Sequence, residues 1–231
     1  MEMALSRSMA PEDILTPLKW PDEKKRFQSG SPTAQNFQKS LASLRIREIP
    51  RGIRSLILSQ LTQGERRIRE RKKFPKRYWD HMPASAIREI VGPEIWESYY
   101  KFSVERNPWD KVISHYFWDP NKMKQDLSFR DFILSGQALK SNFERYSLNG
   151  ILAVDRLIRY DRLYHELGEV SQILSLPDNV GETMQGFSAK SGYRQDRDIE
   201  SFYDRVTREI VEIFFAREIR LLNFKFGGGR G

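Results

Sequence analysis

The chain has 231 residues, 39% hydrophobic and 30% charged, enough to bury one good core with a long excursion. Its net charge of +8 and pI near 9.6 favour anionic partners: nucleotide phosphates, acidic glycans, nucleic acid or a membrane surface. The absence of cysteine excludes a disulfide framework and thiolate chemistry. No apolar run approaches the ~20 residues of a membrane span and no signal-peptide core lies near Met1, so a cytoplasmic protein is expected.

In chain order, Met1 to Met9 reads as a helix start, followed by turn signals at Pro11–Ile14 and Thr16-Pro17. From Lys19 to Arg77 the organisation weakens, punctuated by Pro21, Gly30-Ser31-Pro32, Pro50 and Gly52. Ile53 to Leu61 offers one short amphipathic helix. A dense basic run comes next, Arg66 to Arg77. It fits a solvated face, or an arm that steers an anionic acceptor or touches a membrane surface. Tyr78 to Met82 precedes Pro83 and a helix expected over Ala84 to Val91. Gly92-Pro93 then ends that helix and starts a short one, Glu94 to Ser98.

The stretch from Tyr99 to Trp118 organises the rest of the chain. Tyr99 to Glu105 alternates bulky and polar residues and reads as a strand. Asn107-Pro108 breaks it, and proline suits a helix first turn, where its missing N–H has no partner anyway. From Trp109 the period turns helical, with Trp109, Val112, Ile113 and Tyr116 on one face. Arg106 therefore stands at the carboxyl end of a strand, where open α/β sheets hold ligands. Ser114 lies two turns into the helix. A guanidinium fork and a hydroxyl so placed can hold one phosphate. A buried arginine closing a helix start gives the same pattern.

Beyond Trp118, Ser128 reads as the N-cap of a helix through Leu134, stopped by Gly136. Asn149-Gly150 between Tyr146–Leu148 and Ile151–Val154 signals a two-residue hairpin. Leu157 to Tyr160 reads as a buried strand, and Leu163 to Leu174 as a helix. Lys190 to Arg194 sits in a polar loop. A last helix is expected over Thr207 to Leu222, with Ile210, Val211, Phe214 and Ile219 on its core face.

The string from Glu105 to Phe117, ERNPWDKVISHYF, resembles the 3′-phosphate motif of sulfotransferases that use 3′-phosphoadenosine 5′-phosphosulfate, in the bacterial branch of the family-2, carbohydrate-type enzymes. The resemblance covers about Tyr78 to Phe226, and more thinly Met1 to Pro17. It implies one α/β domain over residues 1–231: a P-loop-kinase-like, mostly parallel sheet flanked by helices. It implies that Arg106 and Ser114 hold the donor's 3′-phosphate, that Arg194 adds charge to that phosphate, and that Lys190 or Tyr193 lines the nucleotide; a solvated basic loop is the alternative for these three. His81 would be the general base that takes the acceptor hydroxyl proton; capping or packing against the Pro83 helix is its alternative. The acceptor implied is a carbohydrate hydroxyl, and no metal is needed.

The family's Pro-Lys-Thr-x-Gly-Thr-Ser loop would stand just before Glu2-Met3-Ala4-Leu5-Ser6. It and its strand are not in the sequence, so an N-terminally truncated fold with weakened donor binding is expected. The rival reading is a non-catalytic member that binds a nucleotide bisphosphate or an acidic glycan. A nucleic-acid binder working through Arg66 to Arg77 lacks any recognition signature.

Overall fold

A computed structural model describes residues 1–38, 77–118, 127–185 and 198–228. They fall in two compact units, Met1–Met82 and Pro83–Gly231. The expected helix over Ile53 to Leu61, the basic residues from Arg66 to Lys76, and Lys190, Tyr193 and Arg194 lie outside the described residues.

In the first unit, helix α1 (Glu2–Leu5) tightens into a 3-10 turn over Ser6–Ser8. Helix α2 (Trp20–Gln28) carries Pro21 in its first turn, acidic Asp22 and Glu23 after it, and basic Lys25 and Arg26 in its last turn. That charge order complements the helix dipole. It is the signal by which the sequence could have announced this helix inside a stretch that reads as weakly organised. Glu23 is fully buried and accepts from the backbone N–H groups of Leu18 (2.9 Å) and Ala34 (2.8 Å) and from Arg26 (3.2 Å). Leu15 and Gln35 form an antiparallel bridge, and Phe37 and Tyr78 are buried apolar residues of this unit.

The second unit opens with helices α3 (Ala84–Val91) and α4 (Pro93–Ser98). Gly92 joins them at φ 84°, a left-handed backbone that glycine adopts without steric cost. Strand β1 (Phe102–Glu105) leads into helix α5 (Pro108–Trp118), then α6 (Phe129–Leu134). The strand begins later than the alternation from Tyr99 suggests. The Tyr99 N–H is still bonded to the carbonyl of Ile95 (3.2 Å) and closes α4. Ser128 caps α6, accepting from the Asp131 N–H at 3.1 Å. The hairpin β2 (Ser147–Leu148) and β3 (Ile151–Leu152) turns at Asn149 and Gly150, with φ of 51° and 79°. Strand β4 (Arg156–Arg159) pairs in parallel with β1, Phe102 against Arg156 and Glu105 against Arg159.

Helix α7 (Leu163–Ile173) comes after β4 and packs with α8 (Val180–Gln185). Gly181 permits this approach, since a Cβ there would stand 2.0 Å from the Tyr164 carbonyl oxygen. Helix α9 (Arg205–Phe214) starts on a capping box between Asp204 and Thr207, and α10 (Ala216–Leu222) ends the regular structure. The single helix expected over Thr207 to Leu222 is thus two, broken at Phe215 (φ −100°, ψ 21°). Phe215 is fully buried at the break, beside Val211 in the core.

The architecture is mixed: a small parallel sheet flanked by helices. The core of this unit lies among α5, α6, α9 and α10 and is built on Trp109, Ile113, Phe132, Val211, Phe215 and Phe224. No described helix is long and apolar enough to cross a membrane.

Candidate functional site

The parallel pairing brings two carboxyl ends together. Glu105 faces Arg159 in the register, and Arg106 and Tyr160 come directly after them. The chain then enters α5 from one strand and a 3-10 turn (Tyr160–Arg162) from the other.

Glu105 points inward and is 2% exposed. Its Oε1 accepts from the Lys111 ammonium (2.9 Å) and the Arg106 N–H (3.0 Å), and its Oε2 from the Tyr146 hydroxyl (2.8 Å). Burial pushes the Tyr146 hydroxyl well above the usual tyrosine range, and the Glu105 charge adds to the effect. The Lys111 ammonium also lies over the Phe215 ring, 5.2 Å from its centroid. This buried carboxylate is charge-balanced and saturated, so it serves structure rather than ligand.

Asn107 is equally committed. Its Oδ1 accepts from the Trp109 N–H (3.1 Å), which caps α5. Its Nδ2 donates to the carbonyls of Lys225 (2.9 Å) and Gly228. The residue therefore ties the strand–helix junction to the C-terminal segment. Asn107→Ala is expected to cost about 1.5–3 kcal/mol, a lost cap plus two lost bonds to the carbonyls of Lys225 and Gly228, which lie in exposed residues that water can reach. Urea denaturation measures this, and a loss under about 1 kcal/mol, the scale of one ordinary hydrogen bond, would show that the tie is unimportant.

Arg106 differs from its neighbours because it is only partly used. Its Nε donates to Asp110 four residues on, and its guanidinium lies 4.8 Å from the centroid of the exposed Tyr160 ring. The side chain is 29% exposed. Neither Nη group has a hydrogen-bond partner among the described residues. Asp110 and Tyr160 thus fix the plane of a fork whose outer edge is open, a geometry that suits an oxyanion. Ser114 is half-buried one turn beyond Asp110 on the same helix face, and its hydroxyl has no partner among the described residues. Arg159, by contrast, is occupied. It bonds Asp161 at 3.0 and 2.7 Å and the Leu222 carbonyl at 2.9 Å. The Arg159 hydrogen bond holds the Asp161 carboxyl below the usual carboxylate range.

Of the residues singled out in the sequence, the structure places Arg106 and Ser114 in one region. His81 belongs to the first unit. It is exposed, in left-handed backbone at φ 62°, with no hydrogen-bond partner among the described residues. His115 packs edge-on against Phe132 at 5.2 Å and lies 3.3 Å from the Lys140 ammonium. His165 is on the surface, 77% exposed. Sequence reasoning missed Asp110 and Tyr160. The four-residue spacing of Arg106 and Asp110 was visible, whereas Tyr160 arrives only through strand pairing. Among the described residues no group of His, Asp or Glu could hold a metal ion.

No family model matches the chain, and no solved structure matches it. An uncharacterized protein of Archaeoglobus fulgidus is 33% identical to it over 119 residues, which cover 49% of this chain and 98% of that protein. With almost the whole of that relative matched, the chain belongs to the same family as the uncharacterized Archaeoglobus fulgidus protein.

Proposed function

We propose that this chain is a sulfotransferase: it binds 3′-phosphoadenosine 5′-phosphosulfate and moves its sulfuryl group to a hydroxyl, that of a carbohydrate. Arg106 and Ser114 take the 3′-phosphate. The acceptor oxygen forms the new S–O bond, its proton passes to His81, and adenosine 3′,5′-bisphosphate leaves. A P-loop-kinase-like sheet extending the β1–β4 pair is the finer fold this reading requires. As in phosphoryl transfer, the protein's task is to position the groups and stabilise charge on the equatorial and leaving oxygens.

One observation carries the reading. The Arg106 fork is oriented by Asp110 and Tyr160 yet open at both Nη groups, at the carboxyl end of paired parallel strands. The Asp110 carboxylate removes part of the positive charge an anion would feel. Binding therefore depends on directed hydrogen bonds more than on net charge. Titration calorimetry with adenosine 3′,5′-bisphosphate tests this. Arg106→Ala should weaken binding by about 1.5–3 kcal/mol, and Ser114→Ala by less. Adenosine 5′-monophosphate, which lacks the 3′-phosphate, should bind wild type and Arg106→Ala equally weakly. Unchanged bisphosphate affinity in folded Arg106→Ala would remove the assignment.

A non-catalytic binder of a nucleotide bisphosphate or acidic glycan uses the same fork. The observation that favours it is His81, whose imidazole has no second group orienting it among the described residues. Turnover with the donor and a carbohydrate acceptor separates the two.

A further inference from the structure

The second unit holds two buried glutamates in unequal circumstances. Glu105 has three donors, one of them an ammonium. Glu218, in the first turn of α10, is also 2% exposed, but its one hydrogen bond is from the neutral Ser141 hydroxyl to Oε1. Its Oε2 has no donor, and no cation pairs with it among the described residues. The adjacent Arg217 does not compensate, since its guanidinium lies over the Phe143 ring, 4.2 Å from the centroid. Oε2 is not sealed from solvent, but a carboxylate left with so little water and no counter-charge is one that folds normally balance.

Beside Glu218 is a cleft of about 390 Å³, lined by Ser141, Phe143, Glu144, Phe214, Arg217 and Glu218. Its acidic groups number two and its basic groups one, so its lining is net negative in a chain of net charge +8. Glu144 is exposed, at the cleft's outer side, and Phe143 and Phe214 supply apolar wall.

We infer that this cleft is a binding site for an organic ammonium ion. The ammonium donates to Glu218 Oε2 at the buried end and to the Glu144 carboxylate at the rim. The alkyl part of the ligand lies against the exposed Phe214 ring, Arg217 covering a face of Phe143, and its burial there adds to the charge pairing. A divalent metal is a poorer fit, because the two phenyl walls offer no oxygen ligands and such ions require about six or more. Arg106 and Ser114 play no part in this site.

The test uses n-butylammonium and its neutral counterpart n-butanol, titrated into the full chain by amide NMR. The charged probe should shift the amides of Ser141 to Glu144 and Arg217 to Glu218 and bind at least tenfold more tightly than n-butanol. Glu218→Gln keeps the shape and the Ser141 contact and should abolish that preference. If Glu218→Gln does not fold, Glu144→Gln on the exposed rim should still weaken n-butylammonium about threefold, with an unchanged melting temperature. The inference is overturned by equal binding of the two probes, by shifts elsewhere in the chain, or by variants that bind n-butylammonium as the wild type does.

Discussion

Replacing Glu105 by alanine is expected to destabilise the chain by about 3–5 kcal/mol, the scale for removing one partner of a buried ion pair. Three groups lose their acceptor at once: the Lys111 ammonium, the Tyr146 hydroxyl and the Arg106 N–H. The ammonium is the decisive one. Its side chain is only 18% exposed, so water cannot fully replace the carboxylate. Chemical denaturation of Glu105→Ala measures the loss. The double variant Glu105→Gln with Lys111→Met, which leaves no buried charge, should recover much of it. A double variant no better than Glu105→Ala would mean that lost packing, not an orphaned charge, is the cause.

The same network gives a pH signature. Tyr146 keeps its proton in the folded state to well above the ordinary value of 10, while the unfolded chain releases it there. The folded state then binds more protons, so this contribution is complete below about pH 10 and falls as pH rises beyond it, by about 1.4 kcal/mol per unit. Tyr146→Phe should remove that alkaline slope while lowering stability at neutral pH.

In a form that carries a complete donor site, with the family's phosphosulfate loop ahead of Glu2, His81→Ala is expected to lower sulfuryl transfer about 10²–10⁴-fold, the range for removing a general base, with adenosine 3′,5′-bisphosphate affinity nearly unchanged. That loss follows from the proposed function alone, in which the imidazole takes the acceptor's proton. A group that must accept a proton from an incoming hydroxyl needs a nitrogen free to receive it. His81→Gln, which keeps polarity and size but cannot accept the proton at neutral pH, should be as impaired as the alanine variant. A rate equal to wild type would assign His81 to the turn alone. A loss of nucleotide affinity would place it against the donor instead.

Much of the local structure was legible because its causes are local. Helix α5 arises from Pro108 in its first turn and the apolar spacing of Trp109, Val112 and Ile113, and all four are buried in the structure. Helix α6 begins at the Ser128 cap, and the hairpin turns at Asn149-Gly150, both signals contained within a few residues. The position of Arg106 just beyond β1 came from the same kind of signal. Helix α2 was missed because its apolar period is weak, though its charge order was present in the sequence.

The contacts that the chain's own pattern could not decide depend on partners far along it. The pairing of β1 with β4 joins residues 54 apart at each rung, Phe102 with Arg156 for example, and it alone brings Tyr160 under the Arg106 guanidinium. Glu105 looks like any strand-end carboxylate until Lys111 and Tyr146 converge on it. Glu218 looks like a surface residue of a charged helix until α10 turns it inward against Ser141. The break at Phe215 is likewise set by the core that receives that ring, since Ala216 and Arg217, which follow it, are good helix formers. By itself the sequence determined helices α3 to α7, the Ser128 cap, the hairpin turn, and a strand-end arginine with a helix serine two turns on. Which side chains saturate one another, and which one of the two arginines at the sheet's carboxyl end stays open, was decided by tertiary packing, because burial and hydrogen-bond completion are properties of the assembled core.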